Sequence, residues 1–146
     1  MFRGRYEHTI NGQGRISLPA GYREALTKMG ENVLMITNHV DCLVAYPMSE
    51  WLKREEKFRT LSETEDMELT YQRFFVSGAM DCPLDKQGRI LIPPVLRQHA
   101  ELKKDVLFVG LVARFEIWDK SRWDAQFQKL KEEFPQSAKI VSPKGL

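Results

Sequence analysis

The chain has 146 residues, 42% of them apolar and 29% charged, with a formal net charge of +2. That is the make-up of one ordinary globular domain or two small units, and too nearly neutral for a uniformly basic polyanion binder. No apolar run approaches the roughly 20 residues that cross a bilayer, and Met1 to Glu7 lacks the apolar core of a signal peptide.

Arg5–Ile10 alternates weakly and predicts a strand. Asn11–Gly14 predicts a tight turn and Arg15–Leu18 a second strand. Ala20–Met29 carries Tyr22, Leu26 and Met29 at helical spacing, with Gly30 as a stop signal. Val33–Thr37 and Cys42–Tyr46 read as short apolar strands. Ser49 reads as an N-cap for a helix through Leu61, with Trp51, Leu52, Phe58 and Leu61 as its apolar stripe. Ser62 with Glu65 has the form of a capping box for a helix over Glu63–Gln72. Phe74–Leu84 reads as strand. Arg89–Ile92 (strand), Pro94–Leu102 (helix), Val106–Val109 and Phe115–Trp118 (strands) and Ser121–Glu133 (helix) follow, with Trp123, Phe127 and Leu130 on one face of the last. Gln136–Leu146 reads as a loose tail.

The order of elements repeats because the sequence does. Asn11-Gly12-Gln13-Gly14-Arg15-Ile16-Ser17-Leu18-Pro19 is matched by Asp85-Lys86-Gln87-Gly88-Arg89-Ile90-Leu91-Ile92-Pro93. Asn32–Ile36 matches Asp105–Val109, and Ser49 with Trp51 matches Ser121 with Trp123, in the same order. The chain is a tandem duplication of one supersecondary unit. One such unit would bury little apolar area alone, so two copies are expected to pair face to face about an internal pseudo-two-fold.

The duplicated stretch explains itself locally. Glycine supplies the positive φ of a tight turn, and Asn or Asp can bond the backbone two residues on. Arginine follows directly, alternating with inward aliphatic residues. Residues 1–28 hold Arg3, Arg5, Arg15, Arg23 and Lys28 against Glu7 and Glu24, while acids gather in Glu50–Glu68. A basic end on a near-neutral protein fits a polyanion surface and an ordinary solvated face about equally well.

Other chemistry is thinly represented. Gly12–Gly14 is too short for a phosphate loop and no Gly-Lys-Ser/Thr follows. No Ser-His-Asp or Cys-His spacing suggests a nucleophile, and an enzyme acting on nucleotides or RNA is not expected. His8, His39 and His99 show no metal-ligand spacing. Cys42 and Cys82 lack a zinc spacing and read as buried reduced thiols, which favours the cytoplasm. Trp51, Trp118, Trp123 and the phenylalanines fit core or subunit interface better than base stacking. Lys53–Lys57 reads as the wet face of a helix.

Met1-Phe2-Arg3-Gly4-x-Tyr6-x-His8, the doubled Gly-Arg-Ile-x-aliphatic-Pro stretch and Arg73-Phe74-Phe75-x-Ser77-Gly78-Ala79 together resemble the MraZ family. Its members are bacterial proteins encoded at the head of the division and cell-wall gene cluster, related to the AbrB-type swapped-hairpin DNA-binding proteins. The resemblance implies an α+β, mainly β fold: a tandem duplicated AbrB-like swapped-hairpin β-barrel with flanking helices. Its repeats would span residues 1–72 and 73–146. It implies a sequence-specific transcriptional regulator of its own operon, with no catalytic chemistry and no cofactor, membrane or small-molecule partner. Its partner would be double-stranded DNA at short G-rich direct repeats in the promoter. The chain would form a homo-oligomeric ring, cytoplasmic and nucleoid-associated.

The family's Asp-x-x-x-Arg motif is intact as Asp85-x-x-x-Arg89 and altered to Asn11-x-x-x-Arg15. The expected DNA-binding residues are Arg15 as base reader, Asn11, Gln13 and Gly14 in its turn, and Asp85, Lys86 and Arg89 in the second. Arg3 and Arg5, with turn amides, are expected to meet the DNA backbone. An oligomeric interaction scaffold or antitoxin-like module is the competing reading, separable by a gel shift.

Overall fold

A computed structural model describes residues 1–146. The strands are β1 (Arg5–Thr9), β2 (Arg15–Ser17), β3 (Val33–His39), β4 (Cys42–Pro47), β5 (Met80–Pro83), β6 (Arg89–Leu91), β7 (Asp105–Gly110) and β8 (Phe115–Asp119). The helices are α1 (Ala20–Met29), α2 (Met48–Phe58), α3 (Asp66–Tyr71), α4 (Pro94–Ala100) and α5 (Lys120–Val141). No helix is long and apolar enough to cross a membrane.

Six strands form one antiparallel sheet in the order β1-β7-β8-β4-β3-β5, and β2 pairs only with β6. The repeats exchange their edges. β1 of the first pairs with β7 of the second, and β5 of the second pairs with β3 of the first. The central seam β4·β8 and the ribbon β2·β6 also join one repeat to the other. Exchanging the strands of the two halves leaves this order unchanged. The strands make a sheet plus a separate ribbon, not a barrel closed by hydrogen bonds.

One face of the sheet is covered by the ribbon, α1 and α4. Their shared core takes Phe2, Ile16, Leu18, Tyr22 and Leu26 from the first repeat and Ile90, Ile92, Leu96, Phe108 and Phe115 from the second. The other face carries two smaller clusters. Trp51 and Phe75 pack over Met35, Val44 and Tyr46, while Trp123 and Trp118 pack with Cys42, Leu107 and Val109. The three tryptophans are therefore buried packing residues.

Several elements depart from the sequence reading. Phe74–Leu84 is not one strand. Gln72–Val76 forms a π-helical turn and only Met80–Pro83 is strand. The buried Thr37 hydroxyl donates to the Phe75 carbonyl at 2.6 Å, and Asn38 Nδ2 reaches the Phe74 carbonyl at 3.4 Å. Gly78 permits this approach, since a Cβ there would lie 2.5 Å from Asn38 Nδ2. α2 starts at Met48 and ends at Phe58, and Leu52 is exposed. Ser49 is no cap. The Glu31 carboxylate accepts from both its amide and its hydroxyl, at 2.7 Å each. The box at Ser62 is shifted, because Glu65 itself caps α3 by accepting from the Met67 and Glu68 amides. Gln136–Leu146 is no loose tail. α5 runs through Pro135 to Val141, followed by a 3-10 turn at Ser142–Lys144.

Candidate nucleic-acid interface

The two turns before β2 and β6 share one backbone design. Asn11 Oδ1 accepts from the Gln13 amide at 3.0 Å and the Arg15 amide at 2.9 Å. Asp85 Oδ1 accepts from the Gln87 amide at 2.8 Å and the Arg89 amide at 2.9 Å. One side-chain carbonyl oxygen suffices for this, so asparagine replaces aspartate without altering the loop. Gly14 and Gly88 take φ of +93° and +74°. A Cβ on Gly14 would strike the Arg97 guanidinium at 2.7 Å, and one on Gly88 would strike Arg23 Cδ. Gly14 is buried, so its part is to shape the turn and not to offer a surface.

The second oxygen separates the copies. Asp85 Oδ2 accepts from Arg89 Nε at 2.9 Å, an ion pair with both side chains partly exposed. The Arg89 amide first, then the Arg89 side chain and the Gln87 amide, hold the Asp85 carboxyl below the usual carboxylate range. Asn11 presents an NH2 at the corresponding place, which cannot accept from arginine. Arg15 instead donates through Nη1 to Gln13 Oε1 at 2.6 Å and has no carboxylate partner.

The ribbon brings the two arginines to one face. Arg15 pairs with Leu91, Ile16 with Ile90 and Ser17 with Arg89. Cross-strand partners share a face, and Ile16 and Ile90 are each 1% exposed. Arg15, Ser17, Arg89 and Leu91 therefore point outward, with Arg15 and Arg89 diagonal neighbours about 7–8 Å apart. A two-stranded ribbon fits the major groove of duplex DNA, which is about 12 Å wide.

The flanks differ. Beside the first turn a shallow depression is lined by Asn11, Arg97, Lys103 and Lys104. Its counterpart beside the second turn is lined by Arg23, Glu31, Asp85 and Lys86. The first end is wholly cationic in its charged groups, while two acids dilute the second. Lys103 and Lys104 escaped the sequence reading. The pairing of β1 with β7, extended by a 3.0 Å bond from the Ile10 amide to the Lys104 carbonyl, brings their loop beside the turn.

Arg3 and Arg5 are not brought to the ribbon. Arg5 opens β1 at the end away from the turn, about 13 Å from Thr9 at strand rise. Its guanidinium lies over the Phe127 ring, 4.7 Å from the centroid, and 6.0 Å from that of Trp123. Arg3 lines a separate depression with Tyr22 and Lys28. His8, given no role by the sequence, ties β1 to β2 by donating Nδ1–H to the Ser17 carbonyl at 2.6 Å.

Cys42 and Cys82 are free and buried. Burial pushes both thiols up, Cys82 to about 12, and Glu116 and Asp41 add to the effect at Cys42. Unassisted, neither is a thiolate nucleophile. His39 and Cys42, three positions apart across the β3–β4 turn, meet Glu116 in space.

Fold and site together define a duplicated β protein that presents an arginine-bearing strand pair on a platform shared by both repeats. The family model described as "MraZ protein, putative antitoxin-like" matches residues 1–74 and again residues 75–140. The chain is 41% identical over 145 residues to a transcriptional regulator MraZ of Syntrophobacter fumaroxidans, covering 99% of this chain and 97% of that one. It is 42% identical over 146 residues to the one of Desulfitobacterium hafniense, covering both chains fully. With that of Caldanaerobacter subterraneus it shares 46% over 124 residues, 85% of each chain. The chain belongs to the MraZ family, whose members are transcriptional regulators and not enzymes.

Proposed function

We propose that the protein binds double-stranded DNA sequence-specifically through the outer face of the β2–β6 ribbon and regulates transcription of its own division and cell-wall operon. The observation that carries the reading is the placement of Arg15 and Arg89 on one outward face, backed by a packed core. Arg15, free of any carboxylate, is the base reader. Its fork matches guanine O6 and N7, with about 1–3 kcal/mol of discrimination per pair, which suits short G-rich direct repeats in the promoter. Gln13 orients it. Lys86, Lys103, Lys104 and exposed turn amides neutralise or bond phosphates. Arg89, held by Asp85, makes the weaker contact, and the acid positions it.

The exchanged edges support reading the fold as an AbrB-like swapped-hairpin unit with one repeat on either side of residue 72. A ring of such units would align ribbons with repeated boxes, making later contacts intramolecular and raising avidity about a hundredfold or more. Exposed apolar residues along α5, Leu130, Phe134 and Val141, favour assembly. The place of action is the cytoplasm, at the nucleoid.

Footprinting of the promoter beside the gene, with wild type and Arg15→Ala in parallel, tests the reading. Protection of repeated boxes by wild type and its loss in a folded Arg15→Ala protein are expected. Promoter binding undiminished in the mutant would remove Arg15 from the site. No shift of promoter DNA above an unrelated fragment would favour the interaction-scaffold reading.

A further inference from the structure

The outer face of the sheet carries a second group of side chains, remote in chemistry from the ribbon. His39 and Cys42 are direct cross-strand partners flanking the β3–β4 turn. Glu116 of β8 pairs with Val44, two residues along β4 from Cys42, so all three side chains stand on the same face. A ring nitrogen of His39, Sγ of Cys42 and a carboxylate oxygen of Glu116 lie within 4.8 Å of one another.

We infer that His39, Cys42 and Glu116 form a binding site for a zinc-like divalent transition-metal ion that joins the first repeat to the second. The donor set is thiolate, imidazole and carboxylate, the three ligand types zinc accepts. His-x-x-Cys across a tight hairpin has the two-residue spacing used by the ligand pairs of zinc sites. Tetrahedral zinc would hold such atoms about 3.5 Å apart, so side-chain adjustments on the order of 1 Å close the site. Charge balances as well. One thiolate and one carboxylate neutralise a divalent ion, leaving no net charge on a partly buried surface.

The surroundings already restrain the ligands. Glu116 Oε1 accepts from Trp118 Nε1 at 3.0 Å, which orients the carboxylate as outer partners of metal ligands do. The His39 ring stands edge-on to Phe75, with centroids 6.1 Å apart, and its carbonyl accepts from His99 Nε2 at 2.7 Å. The turn is pinned from outside by Arg122, whose Nη2 donates to Asp41 Oδ1 at 3.0 Å. Three protein ligands leave a fourth position for solvent, which fits an exchangeable ion.

Cobalt(II) is the probe, added to the full-length chain without any affinity tag and followed by absorption, with zinc as competitor. The expected result is one equivalent bound, with a thiolate-to-cobalt charge-transfer band that zinc abolishes. Cys42→Ala should remove the band and Cys82→Ala should retain it. Glu116→Gln, a change at a half-buried surface position, should weaken binding about tenfold or more. His39→Ala should do likewise. If Cys42→Ala fails to fold by circular dichroism, the His39 and Glu116 variants still decide. Zinc should also raise the Tm of wild type more than that of Glu116→Gln. No charge-transfer band in wild type, a band that survives in folded Cys42→Ala, or affinity unchanged in both His39→Ala and Glu116→Gln would overturn the site.

Discussion

The turn that opens β2 and the turn that opens β6 share a backbone and differ in charge. In both, a side-chain oxygen accepts two amides, a glycine takes positive φ, and an arginine leaves on the outer face. In the second turn that arginine is held by a carboxylate, while in the first it is tethered only to a neutral glutamine. Beyond the turns the contrast widens, with Lys103 and Lys104 beside the first and Glu31 beside the second. A duplicated scaffold can thus keep its shape while the charge at its two ends differs. Shape rests on the single oxygen that Asn and Asp have in common, and charge on the one they do not.

The comparison breaks most completely at Arg15. Arg15→Ala should abolish specific promoter binding in a footprint, while Arg89→Ala should weaken it less. Both should leave Tm and oligomer size unchanged. Equal losses from the two substitutions would mean that the turns act alike.

Glycine substitutions sharpen the comparison at the level of stability. Gly14→Ala and Gly88→Ala each force a side chain into left-handed φ, costing about 1–3 kcal/mol. Gly14→Ala should cost more. The new Cβ would displace Arg97, whose Nε donates to the Ile92 carbonyl at 2.9 Å, whereas the buried Arg23 Nε beside Gly88 has no partner to lose. Urea denaturation of the two variants checks the order.

Asn11→Asp should convert the first turn into a copy of the second. The new carboxylate would capture Arg15 and repel phosphate, lowering DNA affinity several-fold without changing the fold. Asp85→Asn should do the reverse, freeing Arg89 while keeping the amide bonds. Fluorescence anisotropy across a salt series measures both, and affinity should fall steeply with salt in wild type and in both variants as counterions are released.

The smallest effect concerns pH. Asp85 titrates below the usual carboxylate range when folded. Its contribution is therefore complete above the unfolded-chain value and disappears as pH falls through the folded one. Hydrogen exchange at the Gln87 and Arg89 amides should accelerate in that acidic window relative to neighbouring residues. The Gln13 and Arg15 amides, bonded to a carboxamide, should show no such step.

Much of this was legible beforehand. The repeated Gly-Arg-Ile stretch marks two turns, two strands and the inward and outward alternation of each, because those features depend on residues two to four positions apart. α1 was bounded by its helical spacing and by Gly30. The π-helical turn at Gln72–Val76 was hidden, since its aromatic run has the composition of a strand and the hydroxyl that bonds it, Thr37, is far away in sequence. The extension of α5 past Pro135 was hidden because proline marks a break locally, costing about 3 kcal/mol inside a helix, yet the helix carries it.

Within the candidate site, Arg15 and Arg89 could be named from the sequence. Their shared face could not, because it depends on β2 pairing with β6 across 74 positions. The same holds for Lys103 and Lys104, for Glu116 beside His39 and Cys42, and for the removal of Arg5 onto Phe127. The two turns and the alternation of the strands that leave them were determined by the sequence alone, because glycine φ preferences, Asx bonding and strand periodicity act over a few residues. Which charges stand together was decided only by the tertiary structure, because the exchange of edge strands joins segments that no local interaction connects.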